Sequence, residues 1–280
     1  MKRWTKGLTL LAGLALASAA CEDGITDNQA VDDASLQAEV ALVAADAMFR
    51  DLSLMQNPGI GQLGFPGAGL ASSATPPQAA ATSGACQSKG PGQGFQCSTM
   101  VQKEFSITRE VTFLDENGGI QDAYDPLETA TIELLMNASG TVERPFWSAS
   151  IQRERDLTIT GLAGEETEHT VNGTAAGQVF RSHDPQEGET RTRDMTTTAE
   201  IEDVVHAVPR RENPYPLSGS ITRTVHVIVK EGEEVLRERD VTTVITFNGT
   251  QFVTLLVDGE EYSIDLSQRE VKGRFHKKGG

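Results

Sequence analysis

Clustered basic residues are what this chain most lacks. Lys and Arg total 24 against 40 Asp and Glu, for a formal net charge of −16. Phosphate backbones are bound by grouped cations, so no nucleic-acid partner is expected. Aromatic residues are only 5% of the sequence, thin material for the stacking platforms on which sugars are usually held. Apolar runs are short as well. None reaches the eighteen or more residues of a membrane-spanning helix, which excludes a polytopic helical membrane protein. Catalytic signatures are missing too: the chain has no His-Glu-x-x-His, Gly-x-Ser-x-Gly, Ser-x-x-Lys or P-loop. The expectation is a protein that is not an enzyme and carries no cofactor. Its length of 280 residues suits two average domains or one large all-β domain.

The N-terminus reads as an address. Lys2, Arg3 and Lys6 form a positive segment, Leu8 to Leu16 is apolar, and Ser18-Ala19-Ala20 supplies small residues before Cys21. This stretch resembles the signal peptide and lipobox of bacterial lipoproteins, with Ser18 where the family usually has Leu. The resemblance covers this segment alone. It implies cleavage after Ala20, acylation of Cys21 (palmitate among the chains), and a partner membrane reached through that anchor. It also implies residence in the cell envelope, on the outer membrane and facing the periplasm or the surface. Removal of residues 1–20 takes away three cations and no acid, deepening the charge from −16 to −19.

With Cys21 acylated, Cys86 and Cys97 remain, eleven residues apart in a Gly- and Pro-rich stretch. In an exported chain they could close a small disulfide ring. A zinc site there would need four ligands, and no His lies near. No other metal site is expected either. His169 stands beside Glu165, Glu166 and Glu168, which reads as a solvated charge run. Asp115-x-Asn117 opens like a calcium loop but has Ile120 where the loop needs Gly. The five histidines, 169, 183, 206, 226 and 276, have no ligand spacing.

Residues 33–55 are rich in Ala, Leu, Met and Glu and read as one helix with Asp32 or Asp33 as N-cap. Leu36, Val40, Val43, Ala47 and Leu54 share one face, and Leu42, Ala45, Phe49 and Leu52 the other. That pattern suggests burial on two sides. Residues 57–99 have no periodicity and abundant Gly, Ala, Ser, Pro and Gln, so they read as a flexible loop carrying Cys86 and Cys97. Gly59, Gly61 and Gly64 match a dinucleotide-binding spacing. They follow a helix and precede no strand, so the match carries no weight.

From about residue 100 to 275 the hydrophobic period becomes two, as in Phe105, Ile107, Val111 and Phe113, or Ile221, Val225, Val227 and Val229. Turn signals fall at Asn117-Gly118-Gly119, Asn172-Gly173, Asn248-Gly249 and Asp258-Gly259. No helical segment separates the strands, so the sheet is expected to be antiparallel. The expected architecture is mainly β: a meander of long strands forming a curved sheet or half-barrel, preceded by one helix, with a β-sandwich as alternative. Residues 276–280 close the chain as a basic tail.

Two short patterns repeat. Ser-Ile-Thr/Gln-Arg recurs at 106–109, 150–153 and 220–223, and Arg-x-Arg-Asp-apolar-Thr at 153–158, 191–196 and 237–242. The spacing matches one long hairpin per copy. Parity places Arg153 and Arg155 on the face of Ile151, Leu157 and Ile159. It places Arg191 and Arg193 with Met195 and Ile201, and Arg237 and Arg239 with Val235, Val241, Ile245 and Phe247. Two readings follow. Either the Arg stems cover the core edge and their guanidinium groups pair with carboxylates, or the six Arg line up as a basic rim beside an apolar concave face. The first suits a non-catalytic structural or scaffolding envelope protein with an envelope protein as partner. The second suits a carrier of an anionic amphiphile such as a lipid, by analogy of fold alone.

Overall fold

The computed structural model describes residues 33–56, 86–102, 104–164, 166–185, 188–208, 213–268 and 270–272. The signal segment, Cys21, the loop 57–85 and the basic tail 276–280 lie outside the described residues. Helix α1 spans Asp33–Gln56. Thirteen strands follow: β1 Cys86–Ser88, β2 Phe95–Gln102, β3 Phe105–Leu114, β4 Ile120–Gln121, β5 Thr131–Arg144, β6 Trp147–Thr160, β7 Glu168–His183, β8 Arg191–Ala207, β9 Ser218–Glu231, β10 Glu234–Thr246, β11 Phe252–Val257, β12 Glu260–Asp265 and β13 Glu270–Lys272.

Twelve of them form one open antiparallel meander in chain order, and β4 pairs with β3 beside that path. The alternation read from residue 105 onward is the reason. Ile132, Leu134, Leu157, Ile159, Ile221, Val225, Val227 and Val229 are all but fully buried, while residues that alternate with the inward-facing ones, among them Glu133, Glu154, Asp156 and Thr224, are exposed. Twelve strands at about 4.8 Å spacing would stretch over roughly 53 Å if flat. A single helix about 10–12 Å wide could not cover that. Yet one continuous core runs from Phe95 on β2 to Ile264 on β12, so the sheet curls over itself around its apolar face.

Four readings change on contact with the structure. Strand begins at Cys86, inside the stretch read as flexible loop, and the β1–β2 hairpin pairs Cys86 with Cys97. Helix α1 buries one stripe, Val40, Ala41, Ala44, Ala45, Met48, Leu52 and Met55, while Leu42 is 56% exposed. It packs on one side because the sheet is open and offers one concave surface. Asn172-Gly173 is not a turn but a bulge within β7, where the register shifts between Val171 and Gly173. Gly173 has φ +150°, and a Cβ there would sit 2.1 Å from the Asp156 carbonyl. Val235 leaves the face of Arg237 because β10 bulges between them, and it stands 49% exposed. Asp258-Gly259, with φ of 48° and 83°, does form the tight turn its sequence implies.

Candidate functional site

Register fixes where each arginine stands. One cross-strand row of inward-facing residues runs Arg109, Met136, Arg155, Ala175, Ala199, Arg223, Thr243, Val257 from β3 to β11. Arg155 and Arg223 are therefore three strands apart, about 14 Å between backbones, with only alanine methyls between them. Over those alanines lies α1, and it brings down Asp51. The carboxylate accepts from Arg155 Nε through Oδ1 and from Arg223 Nη2 through Oδ2, the latter at 2.7 Å. Asp51 is 0% exposed, and Arg155 and Arg223 are each 3% exposed. Two long side chains from distant strands thus converge on one acid because small residues leave the space between them.

The triad holds two guanidinium groups against one carboxylate. Burial pushes the Arg223 guanidinium below its ordinary range; Asp51 opposes this and the neighbouring Arg155 charge reinforces it. Arg109, at the β3 end of the same row, is also lowered by burial.

The remaining arginines climb toward the end of the sheet that carries the β5–β6, β7–β8 and β9–β10 turns. Arg153 is one row above Arg155, level with Gly177, Thr197 and Val225. Arg239 is two rows up beside Val227. Arg193 and Arg237 are three rows up, flanking Val229, with Arg181 directly opposite Arg193. Arg191 is four rows up, opposite Glu231. At about 6.8 Å per row this spreads the six over roughly 27 Å along the strands. The repeat does fall on alternate strands, β6, β8 and β10, but staggered, so the pairs do not form a single rim.

Carboxylates meet several of them. Arg191 Nη2 donates to Glu231 at 3.0 Å and Arg239 Nη2 to Asp258 at 2.6 Å. Arg153, Arg193 and Arg237 are partnered as well. Beneath them, among the described residues, α1 packs against the apolar face in one continuous core. Between α1 and the sheet lies a pocket partly open to solvent, bounded by Val43, Ala47, Arg153, Arg155, Val179, Thr197 and Arg223 among others.

Cys86 and Cys97 are joined, eleven residues apart. Among the described residues, no three His, Cys, Asp or Glu side chains gather as a metal site. His169 and His206 sit opposite one another on β7 and β8 with rings stacked at 5.2 Å. On the outer face His226 Nδ1 lies 2.8 Å from Asp240, in a register that places His226 against Asp240. Asp115 accepts from the amides of Asn117 and Gly119 and so closes a turn.

Asp51 is the residue that reading by composition passes over. Its signal is there: it lies on the same stripe as Ala44, Met48, Leu52 and Met55, and an acid on a buried stripe calls for a buried cation. Scanned against protein-family models, curated proteins and solved structures, the chain finds no match in any of the three.

Proposed function

We propose that the chain is an exported lipoprotein, tethered to the membrane through acylated Cys21, with a non-catalytic structural or scaffolding role in the cell envelope. The outer membrane is its proposed address, and another envelope protein its partner. The observation that carries this reading is the packing of α1 on the apolar face of the sheet. A carrier of an acyl chain needs an open apolar face or tunnel; here α1 packs on the apolar face of the sheet, and Asp51 takes the two central guanidiniums.

A second reading keeps the anionic amphiphile as ligand. It is favoured by one observation, that all six repeat arginines face the same side as the apolar core, and it requires α1 to leave the trough. Two measurements separate the readings. Native mass spectrometry of a Cys21-less chain purified from envelope extract is expected to show the bare polypeptide mass; a stoichiometric co-purifying lipid would establish the carrier. Fractionation of Cys21→Ala is expected to move the protein from membrane to soluble fractions. Retention in the membrane would remove the anchor from the proposal.

A further inference from the structure

We infer that Cys86 and Cys97 form a thiol–disulfide exchange site, in which Arg109 stabilises the Cys97 sulfur as a thiolate when a dithiol reductant opens the bond. Register is the starting point. Cys97 pairs with Cys86 on β1 and with Arg109 on β3, so the bond and the arginine stand side by side on the inner face. Facing Cβ atoms on neighbouring strands are about 4.5–5.5 Å apart, a span that a side chain as long as Arg covers. The β2–β3 pairing sets Arg109 opposite Cys97 without help from the disulfide, and so it outlasts reduction.

Charge gives this neighbourhood its chemistry. Arg109 Nε is buried and has no hydrogen-bond partner among the described residues, and burial pushes the guanidinium below its ordinary range. The acids around it are engaged elsewhere: Glu110 faces outward to Lys89 at 2.9 Å, and Asp51 on α1 serves Arg155 and Arg223. Ile107, Val111 and Met136, its other neighbours on that face, are apolar. A desolvated cation without a counter-ion favours an anion beside it. The intact disulfide offers none, whereas a Cys97 thiolate does. Thiols next to Arg are depressed from about 8.5 to about 3.5–7.5.

Exposure sets the direction of attack. Cys97 is 4% exposed, while Cys86 is half-buried on the three-residue edge strand β1. The incoming thiolate attacks Cys86 Sγ, the S–S bond breaks, and its electron pair leaves on Cys97 Sγ beside Arg109. The second thiolate of the reductant then attacks the mixed disulfide and frees Cys86, which takes a proton from water. Two electrons pass to the chain. The dithiol, having given its two protons to solvent, departs as a disulfide. The inference rests on the β2–β3 register and is independent of the envelope role.

Thiolate absorbance in the ultraviolet, followed against pH on the purified full chain carrying Cys21→Ala, tests it. With Cys86→Ser added, Cys97 is the one thiol left and is expected to ionise at least about one pH unit below the ordinary 8.5. With Cys97→Ser added instead, Cys86 is expected to ionise near about 8.5. Arg109→Gln should raise the Cys97 value and slow reduction of the disulfide by dithiothreitol about threefold or more; Arg109→Lys, which keeps the charge, should restore both. A Cys97 that ionises no lower than Cys86 would overturn the proposal, as would a titration and a reduction rate unchanged in Arg109→Gln. The comparison of the two cysteines needs no change at Arg109, so it decides the matter even where Arg109→Gln fails to fold.

Discussion

At the scale of the residue, the Asp51 triad shows that parity and burial are separate properties. Period two places Arg155 on the inner face with Leu157 and Ile159, and it does stand there. Nothing in the repeat distinguishes it from Arg193 or Arg239, which carry the same local sequence and remain half-buried. What differs is the row: Arg155 is level with Ala175 and Ala199, and Arg239 with Val227 and Met195. Removing one member of a buried ion cluster strands the others, which costs about 3–5 kcal/mol. Asp51→Ala is therefore expected to lower unfolding free energy by that amount in urea titration. Replacing all three together, as Asp51→Leu, Arg155→Met and Arg223→Met, should recover most of the loss. If the triple variant were as unstable as Asp51→Ala, the damage would come from packing and not from unpaired charge.

At the scale of the element, α1 fits the sheet through small side chains on both surfaces. Ala41, Ala44, Ala45 and Ala47 face inward from the helix, and Ala175, Gly177 and Ala199 face it from β7 and β8. The helix backbone comes nearest β9, β10 and β11, and the small residues of β7 and β8 leave the room in which Asp51 meets two arginines. Ala199→Leu adds volume under the helix without altering charge. It is expected to destabilise the protein by about 1–3 kcal/mol and to weaken protection of the helical amides in hydrogen exchange before those of β5 and β6. Uniform loss of protection across helix and strands would show that α1 and the sheet unfold as one unit.

Much at this scale was legible in advance. The helix was bounded to within a residue at its C-terminal end, because residues 34 to 55 contain no Gly or Pro and are rich in Ala, Leu and Met, while Pro58 and Gly59 follow. The long strands showed in their alternation. The hairpin at Cys86–Cys97 was hidden by its glycines and proline, which resemble linker composition. The bulges at Gly173 and after Val235 were hidden because a two-residue period cannot register an extra residue. The triad could not be read at all, since it depends on register across four strands and on a helix more than a hundred residues away in sequence.

At the scale of the molecule, every strand of the meander pairs with its chain neighbours, so the body is built from local hairpins and left open at both ends. The edges are managed by brevity: β1 and β13 are three residues each, too short to template another sheet. The Cys86–Cys97 bond ties the first of these edges to β2. On the loop-entropy account, closing eleven residues contributes about 2–3 kcal/mol. The Cys86→Ser and Cys97→Ser double variant is expected to lose that much stability in denaturant titration. It should also gain a tendency to associate as the β2 edge becomes available, measurable by light scattering. An unchanged midpoint would mean that the bond adds no constraint beyond the hairpin itself.

The order in which the chain is made acquires a meaning from this arrangement. Asp51 precedes Arg155 by 104 residues and Arg223 by 172. At ordinary synthesis rates the second partner emerges roughly 9–34 s after the acid that awaits it. During that interval the helix has neither of its cations and no finished trough to enter, while the hairpins after it can zip up one by one. The helix is therefore made before the strands that receive it, and a nascent chain stalled short of β9 would present an apolar, acid-bearing helix to whatever chaperone stands nearest.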